Sequence, residues 1–210
     1  MSMPTSRLAA LAAAAFALAG CADGVAFTAP DRANVTVAGE SIAIAAPGGF
    51  CIDEASTTSG PRGAFVMVSD CGLLGQPGGR TPPVGAVMTA SISANPDLVA
   101  EGGDTTLDDL EAFLGTPRGR ALLGRSGDGG ATRILQTTRQ GDILYVLVED
   151  GGQQPMPGVE DRFWRAFMTV NGRMAALSIQ GFQGASPGHE ATLRYLSAFA
   201  ASLRAVNPRA

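Results

Sequence analysis

The sequence RFWRAFMTVNGRMAALSIQ, residues 162–180, predicts a β-hairpin on which the rest of the domain is expected to pack. Two runs rich in aromatic, β-branched and small apolar residues flank Asn171-Gly172, a dipeptide that favours a two-residue type I′ turn. The pairs that this turn predicts on one face are Trp164–Ile179, Ala166–Leu177 and Met168–Ala175. That face is apolar and is expected to pack on a core, whereas the other face carries Arg165 opposite Ser178.

A helix is predicted after the hairpin and closes the chain. Ser186 is the expected N-cap, with Pro187 at the first helical position and Glu190 in the first turn. Its apolar residues recur at helical spacing, namely Leu193, Leu196, Phe199 and Leu203. We expect this stripe to dock on the apolar face of the hairpin, because an isolated helix of this length is marginal in water.

Two strands and two short helices are predicted before the hairpin. Residues 132–138 and 142–149 read as strands, and 143–148 are apolar on both faces, which predicts a place at the centre of the sheet. Thr106 and Asp109 favour the start of a helix that Gly115 ends. A shorter helix is expected to begin at Thr116-Pro117 and to end at Gly124.

The first half of the domain is predicted to be β-structure held by one disulfide. Residues 35–46 read as two short strands with a turn at Gly39, and 50–52, 64–69 and 84–92 as further extended segments. Residues 53–63 are predicted to be a polar loop with a turn at 60–63. That turn brings Cys51 close to Cys71, and the even pair in an oxidising compartment predicts a bridge between them. A redox pair or a thiol nucleophile is the alternative reading.

Together these elements predict one α+β domain over residues 35–207. A mainly antiparallel sheet is expected to be packed by two helical regions. Residues 21–34 are small, polar and Pro-containing, which is typical of a tether.

The N-terminus predicts export and anchoring. A short segment with one positive charge precedes an apolar run, 8–18, which is too short to span a bilayer and fits a signal peptide over residues 1–20. The run ends in Leu18-Ala19-Gly20-Cys21, which resembles the bacterial lipobox. The resemblance implies that Cys21 carries the lipid, including palmitate, and that the domain is anchored in the cell envelope facing the periplasm. Ala22 after the cysteine favours the outer membrane over the inner.

Composition and motifs exclude several kinds of chemistry. All 15 basic residues are arginine and the formal net charge is −4, so nucleic acid is not an expected partner. The absence of lysine excludes Schiff-base catalysis and a Walker-type phosphate lysine. His189 is the only histidine, and Leu193 stands where a zinc-protease motif needs a second one. We predict no catalytic residue, no cofactor and no metal ligand.

One loop segment is excluded as a catalytic motif, and two acidic pairs remain as a weaker candidate. Residues 124–128 lack the second glycine of a nucleophile elbow and follow a helix instead of a strand. The acidic pairs Glu149-Asp150 and Glu160-Asp161 flank one loop, where they could meet around a divalent cation or line a solvated rim.

Several segments resemble a set of small lipoproteins of alphaproteobacteria. The segments lie at 47–53, 63–66, 70–74, 163–165 and 170–173. The order of elements is similar to the Mog1/PsbP-like α/β/α sandwich, which implies an accessory factor that binds a protein partner. We therefore expect a non-catalytic envelope protein with an unknown envelope protein partner. A periplasmic hydrolase or a small-ligand-binding lipoprotein is the alternative, to be recognised by a site lined with convergent polar side chains.

Overall fold

A computed structural model of the chain describes residues 29–80, 83–95, 106–153 and 157–208, and these form nine strands and three helices. The strands are β1 (Arg32–Val37), β2 (Glu40–Ala45), β3 (Phe50–Gly60), β4 (Gly63–Asp70), β5 (Ala86–Ser93), β6 (Thr132–Gln140), β7 (Ile143–Asp150), β8 (Val159–Val170) and β9 (Arg173–Phe182). The helices are α1 (Leu107–Leu114), α2 (Pro117–Leu123) and α3 (His189–Val206). The predicted signal peptide and Cys21 lie outside the described residues. None of the described helices is long and apolar enough to cross a membrane.

All nine strands join one sheet in the order β2-β1-β3-β4-β5-β9-β8-β7-β6. Every neighbouring pair is antiparallel except β1 and β3, which meet in parallel at a single pair, Val37 and Gly60. After β5 the chain passes through α1 and α2 to the edge strand β6 and returns strand by strand, so that β9 pairs with β5. The fold is therefore α+β, as predicted, and strands dominate it.

The β8–β9 hairpin has the predicted register. Trp164 pairs with Ile179 and Ala166 with Leu177. The turn residues Asn171 and Gly172 have φ angles of 48° and 71°, the left-handed conformation that a type I′ turn requires at both positions. Turn chemistry and alternation therefore set this register locally.

Helix α3 covers the first face of the sheet. It lies against β2, β8 and β9, so the sheet curls around it. Its side chains Leu196, Phe199 and Leu203 are fully buried there among apolar residues of the strands. The predicted cap is wrong: α3 begins at His189 with Gly188 as its N-cap, and that cap makes no side-chain hydrogen bond.

The second face is covered by α1 and α2 over one end of the sheet. Leu110, Leu114 and Leu123 pack there against apolar side chains of β7 and β8. Thr106 and Asp109 form the predicted capping box of α1, and Thr116 caps α2. Strand β7 is not central but lies next to the edge strand β6. Both of its faces are apolar because α3 covers one and the α1–α2 pair covers the other.

Strand β3 is longer than predicted. Residues 53–60 belong to the strand instead of a polar loop, with an irregular register between Asp53 and Thr58. Their side chains are polar because this end of the sheet is largely exposed. Cys51 pairs with Ser69 in the sheet, and the predicted disulfide joins it to Cys71, just past the end of β4, with 5.0 Å between the Cα atoms.

Candidate functional site

The second face of the sheet is only partly covered by the described helices. Side chains of β4, β5 and β9 that alternate with the core residues of the first face remain partly or fully exposed. They are Phe65, Met67, Thr89, Ser91, Ala176 and Ser178, and we call this surface the open face. The open face ends where β8 passes under α1 and α2, and polar side chains gather at that boundary.

The weaker candidates from the sequence do not come together there. Glu149 forms ion pairs with Arg133 and Arg162. The main-chain oxygen of His189 accepts a hydrogen bond from Trp164 Nε1 at 3.0 Å, which places the only histidine at the start of α3, away from the open face. Among the described residues no group of three His, Cys, Asp or Glu side chains could hold a metal ion.

Asp150 organises the loop that follows α2. Its Oδ2 atom accepts from the N–H groups of Arg125 at 2.6 Å and Ser126 at 2.9 Å, and Oδ1 accepts from Ser126 Oγ at 2.8 Å and Gly152 N at 3.0 Å. Burial opposes ionisation, but these hydrogen bonds hold the pKa of Asp150 below its usual value. Ser126 is therefore a structural residue that ties this loop to β7.

The loop places Arg125 beside Arg165 of β8. Both guanidinium groups lie against the ring of Phe163, with their Cζ atoms 4.7 Å and 5.6 Å from its centroid. Arg165 is on the second face because it alternates with Trp164 and Ala166, which belong to the core under α3. Two like charges therefore share one aromatic ring at the edge of the open face.

Four nitrogen atoms at this place are shielded from solvent and have no hydrogen-bond partner within the described part of the chain. They are Arg125 Nε and Nη1, Arg165 Nε and Gln180 Nε2. Gln180 is only 7% exposed, and it is paired with Phe163 across the hairpin. The described ion pairs include neither Arg125 nor Arg165. The cluster of Arg125, Arg165 and Gln180 is hereafter the donor cluster.

The electrostatics of the donor cluster are unfavourable in the free protein. Burial and, to a smaller extent, the positive charge of Arg125 together lower the pKa of Arg165 to about 10, and the attraction of Asp150 opposes the change. Burial also lowers the pKa of Arg125, against the attraction of Asp150 and the exposed Asp161. Asp150 attracts both arginines at a distance, while its oxygens accept from main-chain N–H groups and from Ser126.

A hydroxyl pair lies next to the donor cluster on the open face. Thr89 Oγ1 and Ser178 Oγ are 2.8 Å apart, and Ser178 is the register partner of Arg165. Both hydroxyl side chains are partly exposed, as is Arg165, so solvent reaches the row formed by these three residues. A small ligand on the open face could therefore contact guanidinium, amide and hydroxyl groups together.

Two grooves lie elsewhere on the protein, and arginine side chains that line them already interact with other groups of the protein. One of about 530 Å³ lies beside α2 and β6, where Arg120 donates to the carbonyls of Gly115 and Gly129 and Arg133 pairs with Glu149. The other, of about 260 Å³, lies between β7 and α3, where Arg204 forms an ion pair with Asp142 at 2.8 Å. We therefore place the candidate site at the donor cluster.

The sequence contained part of the signal for this site. Arg165 is the one charged residue in the otherwise apolar segment 163–168 of its strand, and the hairpin register placed it opposite Ser178. Arg125 was overlooked because it lies in the segment 124–128, which was considered only as a nucleophile elbow. Its approach to Arg165 depends on the loop that Asp150 holds in place. No protein-family model, curated protein or solved structure matches the chain.

Proposed function

We propose that the protein is a lipid-anchored envelope protein that binds a small ligand at the open face without transforming it. The donor cluster is the observation that carries this proposal. Shielding an N–H group from water without giving it an acceptor costs about 1–3 kcal/mol, and more for a charged group. A bound ligand would supply the missing acceptors, which would explain why these side chains lie at the edge of the open face.

A small ligand fits the donor cluster better than a flat protein surface does. Arg165 lies in a partly exposed row with Thr89 and Ser178, so a small group can approach the donor cluster from the open face, whereas the unpartnered nitrogens themselves are shielded from solvent in the free protein. The sequence favours an envelope protein partner, which is the competing hypothesis. The mass of a photo-crosslinked adduct distinguishes a protein partner from a small ligand. The order of the elements expected from the sequence resembles that of Mog1/PsbP-like proteins, and that resemblance would imply a non-catalytic accessory role.

The anchor would hold this domain close to the membrane. Strand β1 begins at Arg32, so few residues separate the domain from Cys21. Even fully extended, that segment spans only about 40 Å at 3.3–3.6 Å per residue. The ligand would therefore be captured near the inner or outer membrane surface, with the lipobox and Ala22 favouring the outer one.

Photo-crosslinking in living cells tests the proposal. A benzophenone amino acid replaces Ser91 on the open face or, as the matched control, Ala198 on the exposed side of α3. We expect an adduct of small mass from the Ser91 site that is lost when Arg165→Gln is added, and none from the Ala198 site. Intact-protein mass spectrometry reads the mass of the adduct. A protein-sized adduct would replace the small ligand by a protein partner, and equal results at the two sites would contradict the proposal.

A further inference from the structure

We infer that Arg125, Arg165 and Gln180 form a binding site for an oxyanion, the carboxylate or phosphate group of a small molecule. This inference rests on the proposed function and names the chemistry of its ligand. The four nitrogen atoms without a hydrogen-bond partner in the described part of the chain indicate what kind of ligand atom is missing. All four of these atoms are N–H donors, and three of them belong to guanidinium groups, which have no acceptor capacity. The missing ligand atoms are therefore acceptors.

The charge of the donor cluster makes that acceptor an anion. Arg125 and Arg165 repel each other, and neither forms an ion pair with a described residue. Of the acidic groups that act on them, Asp150 is engaged by the loop, and Asp161 is exposed to solvent. An oxyanion beside both arginines would be attracted by both and would relieve their repulsion. Guanidinium groups bind carboxylates and phosphates with paired N–H donors, which suits them to this task.

Other arginines with shielded nitrogens differ from this pair. Arg80 donates to the carbonyl of Gly48 and forms an ion pair with Asp70 at 3.6 Å. Arg173 donates to the carbonyl of Ala94 at 2.6 Å and forms an ion pair with Glu40. Arg204 has its partner in Asp142. Each of these three therefore has its charge balanced within the fold. Arg125 donates from Nη2 to the carbonyl of Glu160 at 3.3 Å, but neither Arg125 nor Arg165 forms an ion pair with a described residue.

The neighbouring side chains complete the recognition of an oxyanion. The Thr89–Ser178 hydroxyl pair adjoins Arg165 in the register and could turn one O–H toward a bound oxygen. Gln180, the register partner of Phe163, supplies a neutral N–H group. Water has only partial access here, which strengthens each charge-assisted hydrogen bond.

The test uses the lipidated mature protein purified in detergent, with sodium phosphate and sodium acetate as probes and sodium chloride at matched ionic strength as the reference. We expect a saturable rise in melting temperature with phosphate, acetate or both. A stronger response to phosphate assigns a phosphate-bearing ligand, and a stronger response to acetate assigns a carboxylate.

The Arg165→Met variant separates a binding role from a structural one. Removing this partly buried charge, which has no ion-pair partner among the described residues, should leave the melting temperature of the free protein unchanged or raise it, while the Kd for the anion rises at least tenfold. Arg173→Met is the matched control, because Arg173 lies on the adjacent strand and has partners. It should lower the melting temperature and keep anion binding.

A second variant tests anion binding independently in case Arg165→Met does not fold. Arg125→Ala keeps the main-chain N–H that bonds to Asp150, so the loop should hold while the anion response weakens. The inference is overturned if neither anion gives a saturable response in the wild type. It is also overturned if Arg165→Met and Arg125→Ala both bind anion as the wild type does. A small adduct at Ser91 without any anion response would remove this inference and leave the proposed function standing.

Discussion

The two faces of the sheet differ in what their side chains do. The first face is closed by α3, and its side chains form a continuous apolar core that includes Phe50, Phe199 and Leu203. The second face is covered at one end by α1 and α2 and ends in the donor cluster and the open face. The first face therefore supplies stability, whereas the second face holds N–H donors without acceptors among the described residues, which lowers stability.

The largest effect is expected on the first face. Phe199 has no exposed surface and packs in the core between α3 and the strands. Phe199→Ala should lower the free energy of unfolding by about 3–5 kcal/mol, the usual range for a buried phenylalanine. Arg194 is exposed on the same helix, so Arg194→Ala is the control and should change little. Denaturant melts measure both, and equal midpoints would show that α3 does not carry the stability of this face.

The disulfide should have the next largest effect. It closes a segment with a sequence separation of 20 residues, which corresponds to a contribution of about 3 kcal/mol in the chain-entropy model. Replacing Cys51 and Cys71 together by Ser should lower the denaturation midpoint accordingly. In protein from the envelope, alkylation without a reductant should label neither cysteine. Full labelling of both in unfolded, non-reduced protein would show that the bridge is absent.

A smaller effect, with a defined pH dependence, is expected at the loop beside the donor cluster. Asp150→Asn should cost about 2 kcal/mol at neutral pH, because hydrogen bonds to a charged group become neutral ones. The pKa of Asp150 is lower in the folded protein than its ordinary value of 3.8. The advantage of the wild type is therefore complete above about pH 5 and is lost as the pH falls through 3.8 toward the folded pKa. Melting curves of both proteins across this range test it, and a constant difference at all pH values would contradict it.

The anchor should have the smallest effect on stability. Cys21 precedes β1, which begins at Arg32, so Cys21→Ser should leave the unfolding midpoint of the domain unchanged. The same substitution should abolish palmitate incorporation and leave an unprocessed or a soluble form of the protein. Equal palmitate labelling of Cys21→Ser and wild type would remove the anchor from the proposed function.

The structure confirms several sequence predictions that depend on neighbouring residues and corrects others. The register of the β8–β9 hairpin, the capping box at Thr106 and the end of α1 at Gly115 follow from turn and cap chemistry within a few residues. The predicted start of α3 was wrong because Ser186 and Pro187 lie in the irregular segment between a turn at 183–185 and the helix. The loop predicted for residues 53–63 was wrong because polar residues also occupy strands at an exposed end of a sheet.

Local sequence patterns were sufficient to specify the hairpin, the amphipathic stripe of α3 and the pairing of Cys51 with Cys71 across a turn. Each follows from side-chain period or turn chemistry, which act locally. The tertiary structure alone decided that β9 pairs with β5, that β7 lies beside an edge strand, and that Arg125 meets Arg165 over Phe163. These contacts join segments far apart in the chain, and the packing of whole helices and hairpins selects them because no local pattern specifies which partners meet.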